Sequence, residues 1–399
     1  MKERIAEHLA VFRRGVVDLI DEKQLTVLLR KSFEESRPLR VKFGMDPSSP
    51  DLHLGHAVPL MKLRDIQDLG HQVVLIVGDA TAMVGDPSGR NKLRPQLTRA
   101  EVELNLATYK DQAACVLDIE ATEIRQNSEW FDEMNFYDVL ELAGRMTVAR
   151  MIERDTFQKR MQAQEPIGIH EFLYPLMQGW DSVEIANDVE LGGNDQLFNL
   201  LVGRQLQEQR DMCPQVCFTM PLINGLDGRK MSKSYGNSIG LTEAPGEMFG
   251  KIMALDDPSM EAWFTLLTRV ADAEVETLLA GHPREAKARL AREIVTFFHS
   301  SDAADVASKA FDRQFRDRQL PENIQTEAWP VDGDELPLAI LLKELGLAKS
   351  SSEARRLVQQ GGVRLDGDIC QDPMQAVLRP ASEFLLQVGK RRFQRVTPR

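Results

Sequence analysis

Lys230 and Lys233 stand three residues apart in "DGRKMSKSYGN" (residues 227–237), among serines and with glycines at 225, 228 and 236. Two compact ammonium groups on a flexible segment suit a polyanion whose charge changes during a reaction; they fit a solvated surface turn equally well. His53 and His56, in "HLGH", are also three apart and share one face of a first helical turn. Unpaired N–H groups and the positive end of the helix dipole favour phosphate there, and imidazoles add hydrogen bonds to phosphate oxygens. Gly55 between them lets a flat ring or sugar approach the backbone. Two histidines in a turn are also ordinary surface residues, and a metal reading lacks a third ligand. Tyr174, Gln178 and Asp181 fall at i, i+4 and i+7, on one helix face aimed at one space, a spacing that any amphipathic helix can show.

The elements around these residues alternate. "LRVKFGMDP" reads as a strand ending at Asp46-Pro47, followed by a helix that Ser49 caps and Pro50 begins, with a kink at Pro59 and a stop at Gly70. "VVLIV" (73–77) has the all-apolar character of a buried parallel strand and opens into "GDATAMVGDPSGR". Thr98 and Glu101 form a capping box before a long helix. "EIRQN" is a strand, 136–180 is mostly helical, "DVELGGNDQ" is a strand, loop and helix, and "CFTMPLI" delivers the chain to the lysine segment. This alternation predicts an α/β fold with a doubly wound, mostly parallel sheet. Ligands bind beyond the carboxyl ends of such strands, and each suspicious loop follows one. Upstream, Ile5, Leu9, Phe12, Val16 and Leu19 give an amphipathic docking helix, and Asp21 with Gln24 caps the next. The expected organisation is a catalytic domain over 1–246 with a helical insertion around 111–180, a helical domain over 247–319, a linker over 320–335 and a small α+β domain over 336–399.

The 399 residues carry a net charge of −12, with 43% hydrophobic and 28% charged residues, ordinary values for a soluble globular chain. Residues 336–399 hold 11 Lys+Arg against 6 Asp+Glu, a balance of +5, so the preceding 335 carry −17. A basic tail on an acidic body points to an anionic partner. The cysteines at 115, 213, 217 and 370 have no zinc spacing and are expected as reduced thiols in a cytoplasmic protein. No apolar run is long enough to span a membrane, and the acid-laced N-terminus is unlike a signal peptide.

"HLGH" after the first strand and "KMSKS" after the last together resemble the ATP-binding signatures of class I aminoacyl-tRNA synthetases. "KFGMDPSSPDLHLGH", "VGDPSG", "YPLMQGWD" and "LGGNDQ" narrow the resemblance to the bacterial tyrosyl-tRNA synthetases, and the C-terminus resembles an S4 RNA-binding domain. The match covers nearly the whole chain. It implies a Rossmann-like catalytic domain, ATP as substrate with Mg²⁺ on its phosphates, L-tyrosine, tRNA(Tyr) and a homodimer formed through the insertion. By the same resemblance His53, Gly55 and His56 meet ATP, Lys230, Met231 and Lys233 close over its β- and γ-phosphates, and Asp195 takes the ribose with Gly193 allowing close approach. Tyr174, Gln178 and Asp86 hold the tyrosine ammonium, Asp181 accepts its phenol O–H, and Gln196 faces its carboxylate. Gly44, Asp46 and Thr81 complete the amino-acid site. In the tail, Ser350 and Glu353 cap a short helix exposing Arg355 and Arg356, and Lys390, Arg391 and Arg392 add charge for RNA shape and phosphate.

Lys42 departs from the pattern. Many relatives have a tyrosine there that helps bind the phenol, so the second partner of the substrate hydroxyl stays open. The rivals are a tryptophan-specific synthetase, which Asp181 disfavours, a catalytically silent RNA-binding regulator, which intact "HLGH" and "KMSKS" disfavour, and a nucleotidyltransferase, which the S4-like tail and large helical domain disfavour.

Overall fold

Short runs of β-branched and aliphatic residues build a sheet of six strands: β1 (Asp18–Ile20), β2 (Arg40–Met45), β3 (Gln72–Val77), β4 (Glu123–Gln126), β5 (Val189–Gly193) and β6 (Val216–Met220). The computed structural model describes residues 1–47, 52–88, 98–232, 235–315, 324–389 and 392–398. The strand order is β1-β6-β5-β2-β3-β4, all neighbours parallel except the edge strand β1, which runs antiparallel to β6. From β2 the chain winds outward to β4, then crosses to β5 on β2's other side. The crevice of this sheet therefore opens where β2 and β5 end.

Helices cover the sheet. The N-terminal helix Lys2–Arg13 buries Ile5, Leu9 and Phe12 as expected; it ends before Val16, and Leu19 belongs to β1. Lys62, on the helix Leu54–Asp68, reaches back to its carbonyl end and donates to the backbone oxygens of Val11 (2.6 Å) and Arg14 (2.7 Å). Burial lowers this ammonium to about 8, against a smaller upward pull from Asp65. Between β4 and β5 the insertion contributes Ser128–Phe131, Phe136–Gly144, Val148–Ile152 and Asp155–Gln162 before Leu173–Ile185 returns to the sheet. The insertion thus begins after β4, not at 111. The strand expected at "EIRQN" is present as β4, inside the range expected for the insertion.

The chain divides into two compact units, Met1–Ser308 and Lys309–Arg399. No break falls at 246: Met260–Leu267 packs on Leu54–Asp68. Arg269 then pairs with Asp65 (2.8 Å) and Asp68 (2.6 Å) of that helix, tying the helical region to the sheet unit.

In the second unit, β7 (Gln325–Ala328), β8 (Glu335–Pro337), β9 (Val363–Leu365), β10 (Asp368–Cys370), β11 (Ala376–Leu378), β12 (Phe384–Val388) and β13 (Arg392–Thr397) surround the helices Leu338–Glu344 and Ser351–Gln359. Five strands lie in the order β10-β9-β12-β13-β7, and β11 pairs with β8. The expected linker over 320–335 is corrected here. Gln325–Ala328 pairs in parallel with β13, and Trp329 is buried in this unit's core with Leu338, Leu342, Val363 and Leu386. β7 is polar and exposed, so its pairing leaves no pattern in the sequence.

Candidate active site

A cavity of about 270 Å³ opens at the ends of β2 and β5. Gly44, Asp46, Thr81, Asp86, Tyr174, Gln178 and Asp181 line it, joined by Gly55, His56, Gly193, Asp195 and Gln196. Loops from four distant parts of the chain thus meet in one space.

The helix Leu54–Asp68 starts differently from expectation. Ser49 and Pro50 lie outside the described residues, and His53 itself is the N-cap. Its Nδ1 accepts from Gly55 N (3.1 Å), while His56 Nδ1 accepts from His53 N (3.2 Å). With Nδ1 committed as an acceptor in both rings, each carries its proton on Nε2. The capping box therefore presents two ring N–H donors at a helix N-terminus, the geometry an anion needs. The rings lie 4.0 Å apart. Gly55 has a local reason as well: a Cβ there would sit 2.9 Å from the His53 ring.

The lysine loop meets this turn directly. Leu54 N donates to Ile239 O (2.9 Å) and Leu241 N to Leu52 O (3.3 Å). Asn237, itself buried, organises the loop: Ser232 N donates to its Oδ1 (2.8 Å), and its Nδ2 donates to Asp227 Oδ1 (2.6 Å). The amide of Asn237 and the guanidinium of Arg229 hold the Asp227 carboxyl down at about 2. Lys230 is exposed, with Nζ 3.8 Å from Asp195 Oδ2. Met231 is buried beside Gly55. Lys233 lies outside the described residues, as do Lys390 and Arg391.

Around Asp46, Asp86 and Gln178 the cavity wall is a closed polar network. Tyr174 OH donates to Asp46 Oδ2 (2.7 Å), and Thr81 Oγ1 to Asp46 Oδ1 (2.8 Å). Gly78 makes room, since a Cβ there would lie 2.1 Å from Asp46 Oδ1. Gln196 Nε2 donates to Asp86 Oδ2 (2.9 Å). Asn199 Nδ2 bridges the Oε1 atoms of Gln178 and Gln196, both at 2.8 Å. At Gly44 a Cβ would meet nothing within 4 Å, which leaves the strand backbone open to a ligand.

Asp181 is fully enclosed. Trp130 Nε1 donates to its Oδ1 (3.0 Å), and the Asn127 amide bonds it too. Loss of water raises its carboxyl to about 7, while Lys42, Trp130 and Asn127 pull it down and Glu190 pushes it up. Lys42 does not stand in for the missing tyrosine. It is buried and donates to Gln178 O (2.7 Å) and Ser182 Oγ (2.8 Å), with Glu190 Oε1 at 3.0 Å.

The family model for class I tRNA synthetases (W and Y) matches residues 34–316, and an S4 domain model matches 336–379. A tyrosine–tRNA ligase of Moorella thermoacetica is 48% identical over 403 residues, covering 99% of this chain and 97% of that protein. One from Cupriavidus pinatubonensis is 50% identical over 395 residues, covering 98% and 94%. The chain belongs to the tyrosine–tRNA ligase family. Among solved structures, a C-terminally truncated mitochondrial tyrosyl-tRNA synthetase of Aspergillus nidulans superposes with a TM-score of 0.63 at 26% identity, covering 78% of this chain and 94% of that one.

Within this family framework, the structure adds residues that sequence reasoning missed. Trp130, Asn127 and Asn199 bond the expected ligands. Asn199 had a signal, three residues after Gln196, the N-cap of its helix; Trp130 and Asn127 had none. Arg154, buried in the insertion, brings Nη2 to 3.4 Å from Asp86 Oδ1. In the C-terminal unit Arg355, Arg356 and Arg392 are exposed, and Arg392 also donates to Leu347 O (2.5 Å). Ser350 caps its helix through Glu353 N (3.2 Å), but the Glu353 carboxylate returns to Lys349 N (2.8 Å) and not to Ser350.

Proposed function

We propose that this chain activates L-tyrosine with ATP and transfers it to the 3′ end of tRNA(Tyr). The observation that carries the reading is one cavity joining a buried carboxylate, Asp181, to the histidine turn at Gly55 and His56 and to Asp195, which Lys230 faces at 3.8 Å. A carboxylate oxygen of tyrosine attacks the α-phosphorus; the new O–P bond forms as the bond to pyrophosphate breaks. No proton leaves a carboxylate, so no general base is required, and positioning with charge stabilisation supplies the rate. Asp181 accepts the phenol O–H, and the Tyr174, Gln178 and Asp86 group receives the ammonium. Gln196 faces the carboxylate from its place beside Asp86. The His53 and His56 Nε2–H groups steady phosphate, Asp195 takes the ribose, and Lys230 and Lys233 meet the departing charge.

Among the described residues no group of three or more His, Cys, Asp or Glu converges to hold a metal ion. In this reading Mg²⁺ comes with the substrate, carried on the phosphates of ATP. Arg355 and Arg356 meet tRNA phosphates. The homodimer reading is supported by an apolar surface on the insertion, where Phe136 is 70% and Tyr137 79% exposed. Free thiols at all four cysteines accord with a cytoplasmic setting. Among the described residues no helix is long and apolar enough to cross a membrane.

The test is isotopic exchange of pyrophosphate into ATP. Tyrosine should stimulate it and tryptophan should not. Stimulation by tryptophan alone, or by neither, overturns the reading.

A further inference from the structure

Lys42 and Glu190 sit in the middle of two buried strands, in "VKF" and "VEL", and are direct register partners across β2 and β5. Both side chains are almost wholly excluded from water. A charge pair in a sheet interior is costly unless every polar atom is bonded, and well-packed aliphatic residues would stabilise the same space at least as well. Here the bonding is dense. Besides the Lys42 bonds already described, Glu190 accepts from Gln215 Nε2 (2.5 Å), Ser182 Oγ (3.2 Å) and Gln178 Nε2 (3.4 Å). Gln178 and Ser182 flank Asp181 on the helix Leu173–Ile185. The pair thus grips the recognition helix on either side of the residue that reads the substrate hydroxyl.

The geometry points to a role for Lys42 and Glu190 as positioning residues for tyrosine selection. They fix Gln178 beside the substrate ammonium, and together they set whether Asp181 waits as the anion that demands a hydroxyl donor. Asp181 is faced by Lys42 from β2, Glu190 from β5, the Trp130 indole and the Asn127 amide. Lys42 favours its ionised form and Glu190 opposes it, with Lys42 the stronger of the two. A neutral Asp181 can donate its own proton and no longer needs the phenol O–H. Discrimination against phenylalanine then weakens.

The inference rests on the proposed tyrosine activation, and the test separates the two. Tyrosine- and phenylalanine-dependent pyrophosphate exchange is measured against pH on the full chain, with kcat and KM resolved. The variants are Lys42→Met, Glu190→Gln and the double variant. Lys42→Met should move the acid limb of kcat/KM for tyrosine up by about one pH unit. It should also raise KM for tyrosine and cut the tyrosine-to-phenylalanine preference about tenfold near neutrality, one pH unit being a factor of ten in the protonation ratio. Glu190→Gln should move the same limb down, and the double variant should fall between. Opposite displacements are a signature that lost packing does not produce. If Lys42→Met fails to fold, Glu190→Gln, which keeps an oxygen acceptor, and the double variant decide. Limbs that stay fixed, or that all move the same way, overturn the inference while leaving tyrosine activation standing. An unmodified chain without tyrosine-dependent exchange overturns the proposed function itself.

Discussion

Asp181, which lines the cavity, and Lys230, which faces the lining residue Asp195, stand in opposite conditions. Asp181 is 3% exposed and bonded from two directions, whereas the Lys230 side chain is 57% exposed and faces Asp195 at 3.8 Å. The region proposed to hold the phenol is cross-linked by buried polar groups drawn from β2, β5, the insertion and the helix Leu173–Ile185. The region proposed to meet phosphate consists of loops that touch through backbone bonds, with Lys230 at the surface. Recognition of one hydroxyl needs partners that do not move, because a buried acceptor left unpaired is the source of the discrimination. Stabilising charge that develops during reaction needs groups that can close in late.

The largest expected effect falls on the buried side. Asp181→Asn should lower kcat/KM for tyrosine roughly a hundredfold, the loss of a charge-assisted hydrogen bond of about 3 kcal/mol. The same change should stabilise the substrate-free fold at alkaline pH. The Asp181 carboxyl is raised from its ordinary 3.8 to about 7, so between those values the folded chain holds a proton the unfolded chain has released. The neutral form's stability is complete below about pH 4 and is lost as pH rises through 7. Urea unfolding at pH 8 should show Asp181→Asn more stable by up to about 4 kcal/mol. If the variant is inactive and also unstable at pH 8, the desolvated-anion picture of this region fails.

Asn127→Ala removes bonds to Ala80 N, Thr81 Oγ1 and Asp181 together. It should cost about 2 kcal/mol in urea unfolding. Lys230→Ala, on the exposed side, should reduce kcat for activation about tenfold while leaving KM for tyrosine unchanged. A large rise in that KM would blur the division between the two regions. The smallest effect per residue belongs to Arg355→Ala and Arg356→Ala. tRNA binding should weaken by about 1 kcal/mol per contact with a shallower salt dependence, and tyrosine-dependent exchange should not change.

The two regions were also unequally legible in the sequence. The phosphate side consists of contiguous motifs, so "HLGH" and the lysine segment could be read as chemistry before any fold was known. The helix face of Tyr174, Gln178 and Asp181 was equally local. What escaped was pairing across the sheet. Trp130 and Asp181 are 51 residues apart, and Lys42 and Glu190 meet only because β2 and β5 adopt one particular register. Two opposite charges, each flanked by apolar residues in "VKF" and "VEL", are the available hint. The reciprocal histidine cap was missed for a related reason: Ser49 and Pro50 look like better helix starters than an imidazole. Strand β7 went unread because exposed polar residues pair through backbone alone.

Lys62 carries a practical lesson for anyone shortening this chain. Its ammonium donates to the carbonyls of Val11 and Arg14, so removing the first fourteen or so residues would strand a buried cation on the helix that His53 caps. Damage at that end would be felt as poor ATP handling far from the cut. A tag added ahead of Met1, by contrast, leaves both carbonyls in place.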